Sequence, residues 1–282
     1  MSSLFDFENK TDRYTVMGNP ISHSKSPFIH TCFAKQTSQN IEYTATQVDP
    51  GGFEQAVGNF QASGGKGLNI TVPFKQEAWE LVDERSPRAN IAGAVNTILF
   101  KPDNTLLGDN TDGIGLVRDL TNNHQCNIEN KRLLVLGAGG AVRGVLLPLL
   151  EQKPALITIA NRTIDKAHLL AQLYKQHGNI LGSHYTDLAG QKFDLIINGT
   201  SASLNDQLPP LPDNILMENA WCYDMMYAKD PTVFLRWGNQ QKATNTIDGL
   251  GMLVEQAAES FYLWRGVRPD TQEVIKAVRE QI

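Results

Sequence analysis

Along the chain, short apolar runs alternate with stretches whose apolar residues recur every three or four positions, the pattern of strands followed by helices. Arg13 to Met17 reads as a strand that stops at Gly18-Asn19-Pro20, and Phe28, Ile29, Cys32 and Phe33 then fall at helical spacing. Ile41 to Val48 predicts a second strand, and Phe53, Ala56, Val57 and Phe60 an amphipathic helix ending at Gly64-Gly65. Gly67 to Val72 predicts a third strand, with a helix after it through roughly Glu84. Val95 to Phe100 and Thr105 to Leu107 flank Pro102-Asp103-Asn104 as the arms of a hairpin would. This part of the chain is an α/β layer in its own right.

Ile114, Val117 and Leu120 mark a short helix leading into Lys131 to Leu150, the stretch around which the rest is organised. Leu133 to Leu136 is a continuous apolar run, too short for a buried helix and suited to a parallel strand covered on both faces. Gly137, Gly139 and Gly140 break it, and an apolar helical pattern follows at once. Strand, glycine turn and helix together predict a dinucleotide site, because the turn lets a pyrophosphate approach the backbone and the helix offers it unpaired N–H groups. A plain strand–turn–helix unit is the competing account. In G-x-G-x-x-G register Val142 stands where the third glycine would be, which predicts a slightly displaced helix and an intact phosphate site. Leu156 to Ala160 continues the unit as a strand, with a helix from about Asp165 to Gln176. Leu195 to Asn198, Trp221 to Asp224 and Ala243 to Ile247 predict further strands, and the proline-rich Leu204 to Asp213 a surface loop. Leu250, Leu253, Val254, Ala257, Phe261 and Trp264 mark a long helix, and Val274, Ala277 and Val278 a last one.

Composition narrows the class. At 282 residues the chain has room for two cores, and its net charge of −5 argues against a nucleic-acid surface. Three cysteines, Cys32, Cys126 and Cys222, lie far apart, which predicts a reducing, cytoplasmic setting without disulfides. Met1 to Lys10 lacks a basic segment followed by an apolar core, so no signal peptide is expected, and no apolar run approaches bilayer length.

The six histidines show no metal-ligand spacing, so no metal is expected, and each reads as a surface or hydrogen-bonded side chain. Ser24 and Ser26 stand two apart in an extended loop and project to one side, suited to a polyhydroxylated ligand. A helix cap just before Pro27 accounts equally for Ser26. Lys75 follows a strand end, where functional groups collect, yet an ordinary exposed lysine fits the same position. Asp112 reads equally as the cap of the helix near Ile114.

Several segments carry a resemblance that covers almost the whole chain in order. Gly18-Asn-Pro-Ile-Ser-His-Ser-Lys-Ser-Pro27, Asn69-Ile-Thr-Val-Pro-Phe-Lys75, Gly93-Ala-Val-Asn-Thr97 and Gly108-Asp-Asn-Thr-Asp-Gly113 resemble the signature segments of the shikimate/quinate dehydrogenase family. So do Gly137-Ala-Gly-Gly-Ala141, Asn161-Arg-Thr163, Cys222-Tyr-Asp-Met225 and Asp248-Gly-Leu-Gly-Met-Leu-Val254. The resemblance implies two α/β domains. A discontinuous substrate domain would comprise residues 1–112 and 249–282, with an inserted Rossmann-like NADP-binding domain over 113–248. It implies the reversible, NADPH-dependent reduction of 3-dehydroshikimate to shikimate, on the route to aromatic amino acids, with no nucleic-acid or membrane partner. Assembly as a homodimer is left open.

Carried over residue by residue, the resemblance puts the catalytic pair on Lys75 and Asp112. Substrate contacts fall on Ser24, Ser26, Thr71, Asn96, Tyr227 and Gln256 as well as on that pair. Cofactor contacts fall on Gly137, Ala138, Gly139, Gly140, Ala141, Asn161, Arg162, Thr163, Lys166, Met225 and Gly249. Lys166 departs from the family, which often has arginine there, so its hold on a 2′-phosphate lacks the bidentate fork. A dehydrogenase accepting NAD or quinate is one alternative, set against Asn161 and Arg162 at the strand end where an NAD enzyme would place Asp or Glu. A non-catalytic nucleotide-binding regulator is the other.

Overall fold

The computed structural model describes residues 11–282, and the N-terminal stretch read for a signal peptide lies outside them. The first sheet takes β1 (Asp12–Gly18), β2 (Ile41–Gln47), β3 (Gly65–Ile70), β4 (Glu84–Arg85), β5 (Thr97–Phe100) and β6 (Leu106–Asp109) in the order β2-β1-β3-β5-β6-β4. β1 is parallel to both neighbours, β5 is antiparallel to β3, and β5 and β6 form an antiparallel hairpin. Helices α1 (Ser26–Gln36), α2 (Phe53–Ala62), α3 (Lys75–Leu81) and α4 (Pro87–Ala92) connect these strands.

After α5 (Asp112–Arg118) and a wider π turn over Asp119–Asn123 comes a second sheet. Its strands β7 (Arg132–Leu136), β8 (Leu156–Ala160), β9 (Ile180–Ser183), β10 (Phe193–Asn198), β11 (Leu216–Asp224) and β12 (Asn245–Asp248) lie in the order β12-β11-β10-β7-β8-β9, all parallel. Helices α6 (Gly140–Glu151), α7 (Ile164–Tyr174) and α8 (Val233–Gln240) accompany it. The strand order reverses between β7 and β10, the crevice where doubly wound sheets bind nucleotides. The apolar run of β7 is buried on both sides: Leu133 and Val135 enter one core, Leu134 and Leu136 the other.

The last helices, α9 (Leu250–Arg265) and α10 (Gln272–Arg279), return to the first sheet. Leu250, Val254, Ala257 and Phe261 pack on Ile29 and Phe33 of α1, and α10 closes the cluster with Val274 and Val278. Trp264 donates its indole N–H to Ile98 O at 3.0 Å and stacks on Tyr14.

Several local expectations are corrected. α1 begins at Ser26 itself, so that serine is not its cap; Ser24 Oγ instead accepts the Ser26 N–H at 3.3 Å. α5 begins at Asp112, with Thr111 preceding it, and no side chain caps it. β3 lies two residues earlier than its apolar pattern suggests, and α3 stops at Leu81. The space expected of a third glycine after the turn comes from the facing strand end, since a Cβ on Gly199 would lie 2.4 Å from Val142 Cγ2. His30 is neither at the surface nor hydrogen-bonded through its ring nitrogens: it is buried and stacks on Tyr43 with ring centroids 4.1 Å apart. Burial lowers its pKa to about 3, so the ring is neutral.

Candidate active site

A cleft of about 370 Å3 opens between the two sheets. From the first come Ser24 and Ser26 at the start of α1, Thr71 after β3, Lys75 at the first position of α3, and Asn96 just before β5. Asp112 opens α5, Met225 and Tyr227 follow β11, and Gly249 and Gln256 belong to the entry and body of α9. Residues far apart in sequence meet because parallel strands deliver their following loops to one edge. All eight polar positions expected at the substrate line this one cleft, with Met225 and Gly249 beside them.

Lys75 Nζ lies 2.6 Å from Asp112 Oδ2, and both side chains are partly open to the cleft. Asn96 Nδ2 donates to the other carboxylate oxygen at 2.7 Å, and the Thr111 N–H donates to Asn96 Oδ1 at 2.9 Å. Asp112 is thus an acceptor on both oxygens, held from two directions, with the ammonium on the cleft side. Gln256 Nε2 donates to Leu253 O at 2.8 Å, and its Oε1 faces Asn96 and Thr111 at 3.4 Å. Burial, and then the Asp248 carboxylate, push the Tyr227 phenol up, so it is a protonated donor at neutral pH.

Asn69, itself on the cleft wall, ties the lining to a layer behind it that sequence reasoning missed. Tyr43 donates to Asn69 Oδ1 at 2.7 Å, and the two N–H donors of Asn69 Nδ2 are shared among Asn96 O, Thr97 Oγ1 and Ser260 Oγ, each 3.1 Å away. Asn69 opened a quoted motif, but its inward direction is a property of the strand pleat. On the far side, Asp224 accepts from Asn198, Ser203, Thr232 and the Met226 N–H, fixing the turn that carries Met225 and Tyr227. Burial raises the Asp224 pKa, which these four donors oppose.

The glycine turn, Asn161, Arg162, Thr163 and Lys166 lie at the carboxyl edge of the second sheet and do not line the cleft. Their arrangement fits a dinucleotide. Gly137 has φ of 101°, and a Cβ on Gly139 or Gly140 would meet nothing within 4 Å, so the turn faces open space. No side chain caps α6, which leaves its first N–H groups for an anion. Asn161 Nδ2 donates to Thr163 O at 2.9 Å, shaping the next turn, where Arg162 and Lys166 are exposed. No group of three or more His, Cys, Asp or Glu able to hold a metal, and no helix long and apolar enough to cross a membrane, occurs among the described residues.

Comparison with known proteins agrees along the length of the chain. Residues 16–98 match the shikimate dehydrogenase substrate binding domain, 119–205 the shikimate / quinate 5-dehydrogenase family, and 249–279 the shikimate 5'-dehydrogenase C-terminal domain. A shikimate dehydrogenase (NADP(+)) from Cellvibrio japonicus is 57% identical over 272 residues, 96% of this chain and 98% of its own. One of the same description from Alkalilimnicola ehrlichii is 58% identical over 271 residues, 96% of this chain and 100% of its own. Among solved structures, shikimate 5-dehydrogenase from Thermus thermophilus, in complex with NADP(H) and shikimate, superposes with a TM-score of 0.86 at 29% identity, over 96% of this chain and 100% of that one.

Proposed function

This chain belongs to the shikimate dehydrogenase family, and from that premise we propose how its cleft works as an NADP-dependent oxidoreductase interconverting 3-dehydroshikimate and shikimate. Lys75 and Asp112 form the catalytic pair, and the observation that carries this reading is their 2.6 Å contact inside a cleft lined by every polar side chain expected at the substrate. When bound, NADPH supplies the hydride. As negative charge grows on the carbonyl oxygen, the Lys75 ammonium stabilises it and passes it a proton; in the other direction the neutral amine takes the alcohol proton back. Asp112, fixed by Asn96, orients the lysine and accepts from the same substrate hydroxyl. Ser24, Ser26, Thr71, Asn96, Tyr227 and Gln256 hold the remaining hydroxyl and carboxylate groups.

Residues 1–112 with 249–282 form the substrate domain in this reading, and 113–248 the cofactor domain; the return of α9 and α10 to α1 supports the division. The cysteine usage supports a cytoplasmic setting. The direct test follows NADP+ reduction by purified protein with shikimate, then with quinate, then with NAD+. Turnover with shikimate and NADP+ is expected to dominate, and its absence would overturn the assignment.

Cofactor choice gives a sharper prediction. Arg162 offers a guanidinium to stack on the adenine while meeting the 2′-phosphate, with Thr163 and Lys166 as further donors. Arg162→Ala should lose about 1.5–3 kcal/mol of a charge-assisted contact, roughly tenfold to a hundredfold in KM for NADP+. KM for NAD+, which lacks that phosphate, should barely change. Equal losses for both cofactors would remove Arg162 from the phosphate site.

A further inference from the structure

The helix after the glycine turn sends one cation across to the other sheet. Arg143 sits in the first turn of α6, its N–H donating to Gly139 O at 3.0 Å and its C=O accepting the Tyr174 hydroxyl at 2.7 Å. Its backbone is therefore tied to the glycine turn on one side and to α7 on the other. Its side chain leaves that sheet and ends against Gly93, the residue that closes α4 in the first sheet. A Cβ on Gly93 would stand 2.6 Å from Arg143 Nη2 and 3.3 Å from Cζ, so the guanidinium occupies the space where a side chain would be. Gly93 also has φ of 60°, a left-handed conformation that glycine adopts without strain.

The guanidinium lacks the partners such a group normally has. Its Nε is buried without a hydrogen bond, and Arg143 makes no ion pair among the described residues. It lies instead at the carboxyl end of α4, where the helix presents carbonyls without intrahelical partners and favours positive charge.

What Gly93 leads into gives the contact its meaning. Two residues on, the Val95 N–H donates to Lys75 O at 2.8 Å; three residues on, Asn96 Nδ2 holds Asp112 Oδ1 at 2.7 Å. Directly after Gly93, Ala94 O accepts from Asn110 Nδ2 at 3.1 Å. One short segment therefore positions both members of the catalytic pair, and a cation from the cofactor-side helix presses on its first residue.

We propose that Arg143 is a positioning residue for the reaction: through Gly93 it fixes the Gly93–Asn96 segment, and so sets Lys75 and Asp112 relative to the helix that carries the glycine turn. This rests on the assignment of Lys75 and Asp112 as the catalytic pair. The groove of about 570 Å3 beside the guanidinium, lined by Trp79, Asn90, Ile91, Gly93, Arg143 and Leu147 among others, gives solvent access to the contact.

The test uses the full chain with NADP+ and shikimate. Arg143→Ala should lower kcat about tenfold, within the cost of misplacing reacting groups by less than an ångström, with both KM values within about threefold of wild type. Millimolar guanidinium, far below denaturing concentrations, should enter the groove and restore part of that loss. Gly93→Ala, which fills the guanidinium's space and also strains a left-handed backbone, should lower kcat at least as far as Arg143→Ala does. Unchanged kcat in Arg143→Ala beside an active wild type would overturn the inference and leave the assigned reaction standing. So would a loss confined to KM for NADP+, which would make Arg143 a cofactor ligand, or a loss that follows thermal stability and is insensitive to guanidinium. A wild type without shikimate turnover would instead remove the premise.

Discussion

Lys75→Ala is expected to lower the turnover number at least about a hundredfold, while KM for shikimate moves only a few-fold. The asymmetry follows from where the ammonium stands. Lys75 Nζ lies 2.6 Å from Asp112 Oδ2, and in the proposed reaction it meets the developing alkoxide, so its interaction would be worth most when charge has formed. In the proposed site the substrate's other groups would be held by Ser24, Ser26, Thr71 and Gln256, which line the same cleft and which the substitution leaves in place. Asp112→Asn should cost less, roughly tenfold to a hundredfold. Both carboxylate oxygens accept in the native site, one from Lys75 and one from Asn96, so an amide must turn its NH2 towards one of those donors. Combining the two changes should cost far less than the product of the separate losses, because the pair performs one task. Near-normal turnover in Lys75→Ala with weakened shikimate binding would make Lys75 a substrate ligand and move the catalyst elsewhere.

The cleft was legible in the sequence because its residues sit in motifs at strand ends, and parallel strands bring their ends together whatever the intervening chain does. What the linear pattern could not supply is mutual orientation. Ser26 and Asp112 both looked like helix caps, since a polar residue just before an apolar periodicity is the usual cap signal. Each helix in fact begins one or two residues earlier than its first apolar position, which places both side chains within the first turn. α4 and α8 went unread although their caps were visible: Ser86 Oγ accepts the Ala89 N–H, and Thr232 Oγ1 the Leu235 N–H. Six and eight residues gave too little periodicity to stand out from a loop. The exchange of a third glycine for Gly199 is invisible to any local reading, because the two halves of that contact are Val142 and a strand end far along the chain. Arg143 is hidden for the same reason: in sequence it is one more charged residue on an apolar helix.

A chain joining residues 1–112 to 249–282 through a short Gly-Ser linker should fold cooperatively and bind shikimate without any cofactor, whereas a chain ending at Asp248 should do neither. The difference rests on what α9 contributes. Phe261, Val254, Ala257 and Leu250 cover Ile29 and Phe33, and Trp264 covers Tyr14. At about 1.5–3 kcal/mol for each large apolar side chain buried, losing Phe261, Val254, Leu250 and Trp264 removes about 6–12 kcal/mol, as much as the roughly 5–15 kcal/mol that holds a typical domain folded. Polar groups would be stranded as well. Ser260 accepts from Asn69 at 3.1 Å and lies 2.7 Å from Thr97 Oγ1, and Glu259 pairs with Arg88, which itself holds Asp109. On the other side of the cut, Leu116, Val117 and Leu120 belong to the core of the second sheet, while α5 also lies along α9, where Arg118 pairs with Glu255. Sharp thermal unfolding and calorimetric shikimate binding by the joined chain, with neither in the truncated one, are the expected results. A truncated chain that unfolds cooperatively and binds shikimate would show that the first sheet completes its own core, and the discontinuous domain would have to be abandoned.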